Sequence, residues 1–190
     1  MEESLFERMV RGDPASFREF YDRHAGAVFT VCYRLTGRRE DAEDLTQDVF
    51  LRAWSSAREF RGEAGPATWL YRIAVHRYLD VTRRKKMRKI LSLDFRGAPE
   101  IGDSKSEPIA AAREEPSRIH ERNEVERILR RAMEDLPERQ KTALVLQHDG
   151  GLSAEEIGEV LDLSAGSVES LLHRAKKNLA ARANPLLNFF

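Results

Sequence analysis

The sequence, 190 residues long, lacks the residue patterns on which several large protein classes depend. It has a single cysteine, and its five histidines are scattered, with no two at a usual metal-ligand spacing. It has neither a glycine-rich loop that could cradle phosphate nor the nucleophile elbow of a hydrolase. No apolar run approaches the ~20 residues that a helix needs to cross a membrane. We therefore expect a non-enzymatic protein with no metal, no cofactor and no membrane insertion of its own.

The single cysteine and the N-terminus also carry little functional signal. Cys32 lies among Val28, Val31 and Leu35, which predicts a small buried core residue rather than a nucleophile or a ligand. The first ten residues, MEESLFERMV, are acidic and lack the apolar stretch of a secretory signal peptide. Together these observations favour a cytoplasmic protein.

Apolar residues recur at steps of three and four along most of the chain, and no segment has the alternation of a β-strand. The pair Asp13-Pro14 marks the start of a long amphipathic helix, and Gly37 marks its end. Further helices are expected over residues 39–57 and about 66–86. The sequence therefore predicts an all-α protein.

Residues 92–118 interrupt this periodicity. They contain glycines, prolines and serines instead of a regular apolar stripe, which is typical of a flexible linker. Helical periodicity resumes after them and continues to about residue 182. The sequence therefore predicts two small helical domains, residues 1–91 and 119–190, joined by the linker 92–118.

The net charge of zero conceals two segments of opposite sign. Residues 1–60 carry nine Lys and Arg against twelve Asp and Glu, whereas residues 61–96 carry ten against three. Such blocks can be ordinary solvated surface, but a concentrated positive excess is also typical of segments that bind nucleic acid. Residues 61–96 are therefore a candidate nucleic-acid interface.

Residues 154–174 have the pattern of a helix-turn-helix. Ser153 and Glu156 form a capping box at the start of its first helix, and Asp162 stands at the turn, where a left-handed backbone is required. Gly158 is small at the position where the two helices approach each other. Five apolar positions would pack the helices together: Ile157, Leu161, Leu163, Val168 and Leu171. A helical hairpin without a DNA role is the alternative interpretation.

In such a motif the second helix enters the DNA major groove, where its first residues meet base edges. The residues expected at base edges are Ala165, Gly166, Glu169, Ser170 and His173. Arg174, Lys176 and Lys177 are placed for phosphates, which would supply affinity and register. Glu169 could accept a hydrogen bond from a cytosine amino group.

Four stretches of the chain, in the same order and spacing, resemble the extracytoplasmic-function (ECF) sigma factors, the smallest members of the sigma-70 family. They are DAEDLTQDVFLRAW (41–54), FRGEAGPATWLYRIAVHRYLDVTRR (60–84), LPERQKTALVL (136–146) and LSAEEIGEVLDLSAGSVESLLHRAKKNL (152–179). The resemblance implies a factor that binds core RNA polymerase, directs it to specific promoters and assists their melting. The first domain would bind polymerase and the minus-ten element, and the second the minus-thirty-five element. Many relatives are held inactive by an anti-sigma protein, so such a partner is also expected.

The resemblance also assigns roles to residues of the first domain. The acidic helix would bind core polymerase through Asp41, Asp44, Gln47 and Asp48. A base-capturing loop and the basic helix after it would hold minus-ten DNA through Phe60, Arg61, Gly62, Glu63, Arg72, His76, Arg77, Arg83 and Arg84. A packed core position is the alternative for Phe60 and Trp69, and a stacking role for Tyr71 stays open.

Two positions of the second domain depart from the family. Glu169 and Leu171 occupy sites where the family often has a basic residue and an arginine, so this recognition helix is less basic at its base-facing end. A helix-turn-helix regulator that binds duplex DNA without polymerase is the main alternative function. The acidic helix followed by a basic helix argues against that alternative. Phe189 and Phe190 at the end of the sequence have no assigned role.

Overall fold

The structure, a computed structural model, describes residues 5–60, 64–93 and 127–187, and within these ranges it contains helices and no strand. The helices are α1 (Leu5–Val10), α2 (Pro14–Thr36), α3 (Arg39–Ser56), α4 (Pro66–Leu93), α5 (127–134), α6 (Glu138–His148), α7 (Ala154–Leu161) and α8 (Ala165–Leu187). A 3₁₀ turn, Ala57–Glu59, follows α3. The prediction of an all-α protein is confirmed.

Several predicted features lie outside the described residues. Of the base-capturing loop, Arg61, Gly62 and Glu63 fall in the gap after Phe60. The predicted linker 92–118 begins inside the last turn of α4 and otherwise falls in the gap 94–126. Phe189 and Phe190 also fall outside the described ranges.

Both ends of α2 form as the sequence predicts. The Asp13 side chain accepts a hydrogen bond from the backbone N–H of Ala15 at 3.1 Å, and Pro14 opens the helix. At the other end Gly37 adopts a φ of 73° and donates its N–H to the carbonyl oxygen of Tyr33 at 2.8 Å. Glycine adopts this left-handed conformation without steric cost, so it terminates the helix cleanly.

Helix α4 is longer than predicted, and α1 was not predicted at all. Helix α4 begins at Pro66 as expected but continues to Leu93 instead of ending near residue 86. Lysine, arginine, methionine and leucine are strong helix formers, whereas repulsion between like charges costs only ~0.2–0.5 kcal/mol per pair on a helix. In α1 the side chain of Met9 is fully buried, so packing against α2 holds a segment too short to show periodicity.

The eight helices of the described ranges pack into two halves that share one core. We call α1–α4 the N-terminal half and α5–α8 the C-terminal half. The largest fully buried apolar side chains of the N-terminal half are Met9, Phe20, Val28, Val31, Leu35, Val49, Leu70 and Val75, and those of the C-terminal half are Val145, Leu146, Ile157 and Val160. All of them belong to one continuous cluster of buried residues. The two halves therefore lie directly against each other.

Candidate nucleic-acid interface

The helix-turn-helix forms from the residues that predicted it. The N–H of Glu156 donates to Ser153 Oγ at 3.2 Å, and the N–H of Ser153 donates to Glu156 Oε2 at 2.9 Å, which completes the capping box. Asp162 adopts a φ of 54°, and the N–H of Leu163 donates to the carbonyl of Gly158 at 2.9 Å. A Cβ atom on Gly158 would lie 2.5 Å from the carbonyl oxygen of Leu163. Only glycine therefore fits at this position of the turn.

One face of α8 packs against α6 and α7, and the opposite face is exposed to solvent. Val168, Leu172 and Ala175 are buried. Leu172 was missing from the predicted apolar set, although it lies four residues after Val168 on the same face. The residues predicted to meet DNA are exposed, apart from a partly buried Ala165; they are Gly166, Glu169, Ser170, His173, Arg174 and Lys177. The structure thus brings the predicted recognition residues together on one accessible surface.

Three of the predicted minus-ten residues meet in an open hollow between α3 and α4. The hollow has a volume of about 390 Å³ and is lined by Arg52, Ser55, Ser56, Ile73, His76, Arg77, Asp80 and Arg84. Arg77 is held by an ion pair with Asp48. Four cationic or potentially cationic side chains outnumber the two nearby carboxylates, Asp80 in the lining and Asp48 behind it, and so make a surface suited to a phosphate backbone. We call it the basic hollow.

The basic hollow includes residues that the sequence did not single out. Arg52 lies four residues after Asp48 on α3 and approaches that carboxylate to 3.7 Å. The sequence contains a signal for this position: Arg52 lies four residues after Asp48, so the two side chains lie on the same side of α3. Arg83, in contrast, points away, with 81% of its side chain exposed and only a 3.8 Å approach to Asp80.

Two of the predicted minus-ten residues, Arg72 and the His76 that also lines the basic hollow, contact the C-terminal half. Arg72 donates two hydrogen bonds to the carbonyl oxygen of Glu159, from Nε at 2.9 Å and from Nη2 at 2.6 Å. His76 Nε2 lies 3.8 Å from Asp162 Oδ2. The C-terminal half of the protein thus covers part of the basic face of α4.

Two of the aromatic residues that flank the predicted base-capturing loop in the sequence, Phe60 and Trp69, pack against each other. Phe60 lies against Phe6 and Trp69, with ring centroids 4.4 and 4.9 Å apart. Tyr71 is only 3% exposed, and burial raises the pKa of its hydroxyl. In this arrangement Tyr71 is a core residue, and Phe60 and Trp69 are partly buried.

The predicted polymerase-binding residues divide between two faces of α3. Asp41 approaches Lys85 to 3.7 Å, and Asp48 is paired with Arg77, so both carboxylates turn toward α4. Asp44 and Gln47 are exposed on the outer side. The acidic surface available to a partner is therefore smaller than the sequence suggests.

Beside Gln47 lies an apolar groove that the sequence did not reveal. It has a volume of about 720 Å³ and is lined by Phe17, Tyr21, Ala25, Gly26, Phe29, Arg39, Glu43, Thr46, Gln47, Phe50 and Leu51. Leu51 is 61% exposed, a large fraction for a leucine beside other apolar groups. The sequence contains a signal for this groove: Leu51 is a large apolar residue that lies outside the buried stripe of Leu45, Val49 and Ala53.

Within the described ranges, no three His, Cys, Asp or Glu residues lie together as a metal site would require. Over the same ranges no helix has the length and apolar character needed to cross a membrane. Cys32 is completely buried, and burial raises the pKa of its thiol to about 11. A neutral buried thiol of this kind is a poor nucleophile.

Comparison with known proteins identifies the family. The Sigma-70 region 2 family model matches residues 20–88, and the Sigma-70 region 4 family model matches residues 126–179. The chain is 31% identical to an ECF RNA polymerase sigma-E factor of Haemophilus influenzae, over 98% of this chain and 97% of the relative. It is 34% identical, over 88% of this chain, to the ECF RNA polymerase sigma factor SigE of Mycolicibacterium smegmatis, but spans only 63% of that relative's length.

A solved structure supports the same fold. The sigma factor RpoE from Bartonella quintana, in complex with the anti-sigma factor NepR, superimposes with a TM-score of 0.68. The match covers 88% of this chain and 96% of the other at 20% sequence identity. With the family matches and the relative from H. influenzae, it leads to one conclusion: the chain belongs to the ECF sigma factors of the sigma-70 family.

Proposed function

We propose that the two halves of this ECF sigma factor bind different partners during promoter recognition. Residues 1–91 bind core polymerase and the minus-ten element, residues 119–190 bind the minus-thirty-five element, and the linker 92–118 lets them act at separated points. The exposed face of α8 is the observation that carries the proposal. It presents the predicted recognition residues to solvent, while Val168, Leu172 and Ala175 anchor the helix from behind.

The proposed minus-thirty-five surface combines base-edge and phosphate contacts. Glu169 is in the second turn of α8, where it accepts a hydrogen bond from a cytosine amino group. Arg174 and Lys177 follow toward the middle of the helix, where they contact phosphates and set affinity and register. Because Glu169 is negative, the attraction to DNA comes from these later residues.

The proposed minus-ten surface is the basic hollow together with the loop before α4. The single strand exposed by melting carries its charge on its phosphates, and the hollow supplies His76, Arg77 and Arg84 for them. Arg52 joins this set because it lines the same hollow. Unstacking a base costs a few kcal/mol, which contacts with the released strand offset.

Core polymerase binds the outer side of α3 in this proposal. Asp44 and Gln47 provide exposed polar contacts, and the apolar groove beside them provides surface that loses water on binding. Asp41 and Asp48 contribute indirectly, since they hold α3 against α4. Charge complementarity on the outer face favours fast and correctly oriented docking.

The protein acts without catalysis and without a cofactor, in the cytoplasm where polymerase and promoters are found. An anti-sigma protein is an expected partner, because the structural relative from B. quintana is itself bound to one.

The direct test is reconstitution with purified core polymerase, followed by sequencing of the transcripts that start on genomic DNA. We expect the protein to join polymerase and to direct initiation from a set of promoters with shared minus-ten and minus-thirty-five sequences. A protein that bound duplex DNA by itself and did not direct polymerase to any start site would instead be a helix-turn-helix regulator.

Two variants test the division of work. Asp44→Arg reverses an exposed charge on the proposed polymerase face, so it should weaken polymerase binding, whereas Asp135→Arg makes the same change in the C-terminal half and should not. Arg83→Ala combined with Arg84→Ala should reduce open-complex formation more than polymerase binding. Equal loss of both would contradict the role of these arginines.

A further inference from the structure

The carboxylate of Asp48 lies between two arginines of the basic hollow. Its Oδ2 accepts a hydrogen bond from Arg77 Nε of α4, and its Oδ1 lies 3.7 Å from Arg52 Nε, one turn further along α3. The side chains of Arg77 and Asp48 are only 27% and 35% exposed, so solvent screens this pair less than it screens ion pairs at the surface. Both arginines belong to the lining of the basic hollow, and Asp48 supports them from behind.

An arginine held in this way can still bind a phosphate. A guanidinium has five N–H donors, and the hydrogen bond to Asp48 uses the one on Nε, so the four on the two Nη groups can serve a second anion. A free arginine side chain samples many rotamers and must be ordered when it binds, which costs entropy. A carboxylate that selects the rotamer beforehand removes part of that cost. The pairing with Asp48 thus prepares Arg77 for an anion in the hollow.

The two arginines that follow on α4 are held less firmly. Arg83 is 81% exposed and approaches Asp80 only to 3.8 Å, and ion pairs as exposed as this one contribute little. Arg84 lines the hollow as an exposed side chain. Arg77 is therefore the cation of the hollow whose position the fold determines most closely, and Asp48 is the group that determines it.

The negative charge of Asp48 acts against DNA binding. The hollow has three arginines against the two carboxylates of Asp48 and Asp80, an excess of one positive charge before any contribution from His76. Removal of the Asp48 charge would make the hollow more positive and, by charge alone, should strengthen its attraction for phosphates. If Asp48 serves to position the arginines, its removal should weaken promoter melting in spite of that gain. The two effects therefore have opposite signs, and an experiment can separate them.

We propose that Asp48 is a positioning residue of the minus-ten site: it holds Arg77 and Arg52 in the conformations that receive the phosphates of the melted strand. This role goes beyond fixing α3 against α4, and it assigns Asp48 to the DNA step instead of to a direct contact with polymerase. The inference rests on the proposed minus-ten role of the basic hollow. The ion pair itself can be measured in the free chain, so a failure of the inference and a failure of the proposed function are distinguishable.

The first measurement follows the Nε–H of Arg77 by NMR in the full-length chain labelled with nitrogen-15 arginine, and Arg77→Lys assigns the signal. Because the hydrogen bond to Asp48 protects this proton, its exchange with water should be at least about fivefold slower than that of the exposed Arg18. Asp48→Asn keeps the shape of the side chain and removes its charge, so the protection should be lost. Glu40→Gln removes the same charge from the exposed first turn of α3 and should leave the protection unchanged.

The second measurement uses holoenzyme reconstituted with purified core polymerase, on a promoter identified by transcript mapping. A fluorescent base analogue in the minus-ten element reports the rate of open-complex formation, and anisotropy of the labelled chain reports polymerase affinity. Asp48→Asn should slow opening at least about fivefold, as expected when long side chains must be ordered on binding, and change polymerase affinity by less than about twofold. Asp48→Glu retains the charge and should restore most of the rate. Glu40→Gln should leave both quantities unchanged.

Arg52→Gln keeps the proposal refutable if Asp48→Asn folds poorly, as judged by helical circular dichroism. The Arg52 side chain is 52% exposed, so its replacement should not disturb the core. It should slow opening and lower the log–log salt dependence of open-complex stability by about 0.7, the value for one phosphate contact of a single strand.

Four results would count against the proposal. Unchanged or faster opening in Asp48→Asn would overturn the positioning role, as would an unchanged rate and salt dependence in Arg52→Gln. A loss of polymerase affinity in Asp48→Asn as large as the loss of opening rate would assign Asp48 to the polymerase contact instead. A chain that showed the protected Arg77 proton but never joined polymerase would reject the proposed function, and the positioning role with it.

Discussion

Gly158 provides a quantitative test of the helix-turn-helix geometry. A Cβ at this position would lie 2.5 Å from the carbonyl oxygen of Leu163, whereas ordinary contacts begin near 3.4 Å. The obstacle is backbone, so the turn must open by about 0.9 Å, the difference between these two distances. That movement strains the hydrogen bond from Leu163 N to the carbonyl of Gly158. We expect Gly158→Ala to destabilise the protein.

The expected loss of stability in Gly158→Ala combines two costs and one gain. Overpacking costs roughly 1–3 kcal/mol and a strained hydrogen bond about 1 kcal/mol. Alanine recovers about 0.5–1 kcal/mol through its higher helix propensity. The net loss is about 2 kcal/mol, or roughly 4–8 °C in the melting temperature of a chain of this size.

Gly26 is the matched control for this substitution. It lies in the middle of α2, and a Cβ there would meet nothing within 4 Å. Gly26→Ala should therefore stabilise the protein by about 0.5–1 kcal/mol. Urea denaturation followed by circular dichroism measures both variants. If Gly158→Ala proved as stable as Gly26→Ala, the close approach in the turn would be refuted.

Three more predictions concern the cap, the thiol and one histidine. Ser153→Ala removes the side-chain half of the capping box and should cost about 1 kcal/mol in urea denaturation; no change in the midpoint would count against the cap. Cys32, with its pKa raised to about 11 and its side chain fully buried, should react with a thiol reagent at neutral pH only as the protein unfolds, so labelling should accelerate with urea; immediate labelling of the native protein would disprove its burial. Burial against Phe20, followed by the charge of Arg23, lowers the pKa of His24 below its ordinary 6.5. The unfolded chain then takes up a proton that the folded chain resists, so stability should be full above pH 6.5 and fall as the pH drops through the lowered pKa. His24→Gln should flatten this part of the pH profile, and an unchanged slope would exclude His24 as its source.

The features that could be predicted from the sequence are those fixed by neighbouring residues. The ends of α2 follow from Asp13 and Gly37, which act within a few residues of their own positions. The helix-turn-helix follows likewise from Ser153 and Asp162, because a capping box and a left-handed turn are local structures. The exposure of the α8 face that carries the predicted recognition residues follows from the same helix-turn-helix pattern.

What could not be predicted depends on contacts between distant segments. The periodicity of α3 places Asp41 and Asp48 with other acidic residues, but only the position of α4 shows that Lys85 and Arg77 bind them. Lys141 is a charged residue that any composition rule would place on the surface, yet it is only 7% exposed, and its Nζ donates a hydrogen bond to the carbonyl oxygen of Leu35 in the last turn of α2. Its burial depends on where α2 ends in space, which no local pattern encodes.

Under the proposed minus-ten role of α4, its uninterrupted course sets the length of DNA strand that the helix can contact. At 1.5 Å per residue, the helix holds Trp69, near its start, and Arg84, in the basic run, about 22 Å apart. A strand stacked at 3.4 Å per base covers that distance in six or seven steps, by about the same estimate. Since a helix neither stretches nor bends easily, the span of bases between these two points is a constant of the protein. A promoter with one base too many or too few in that interval would be out of register at one end.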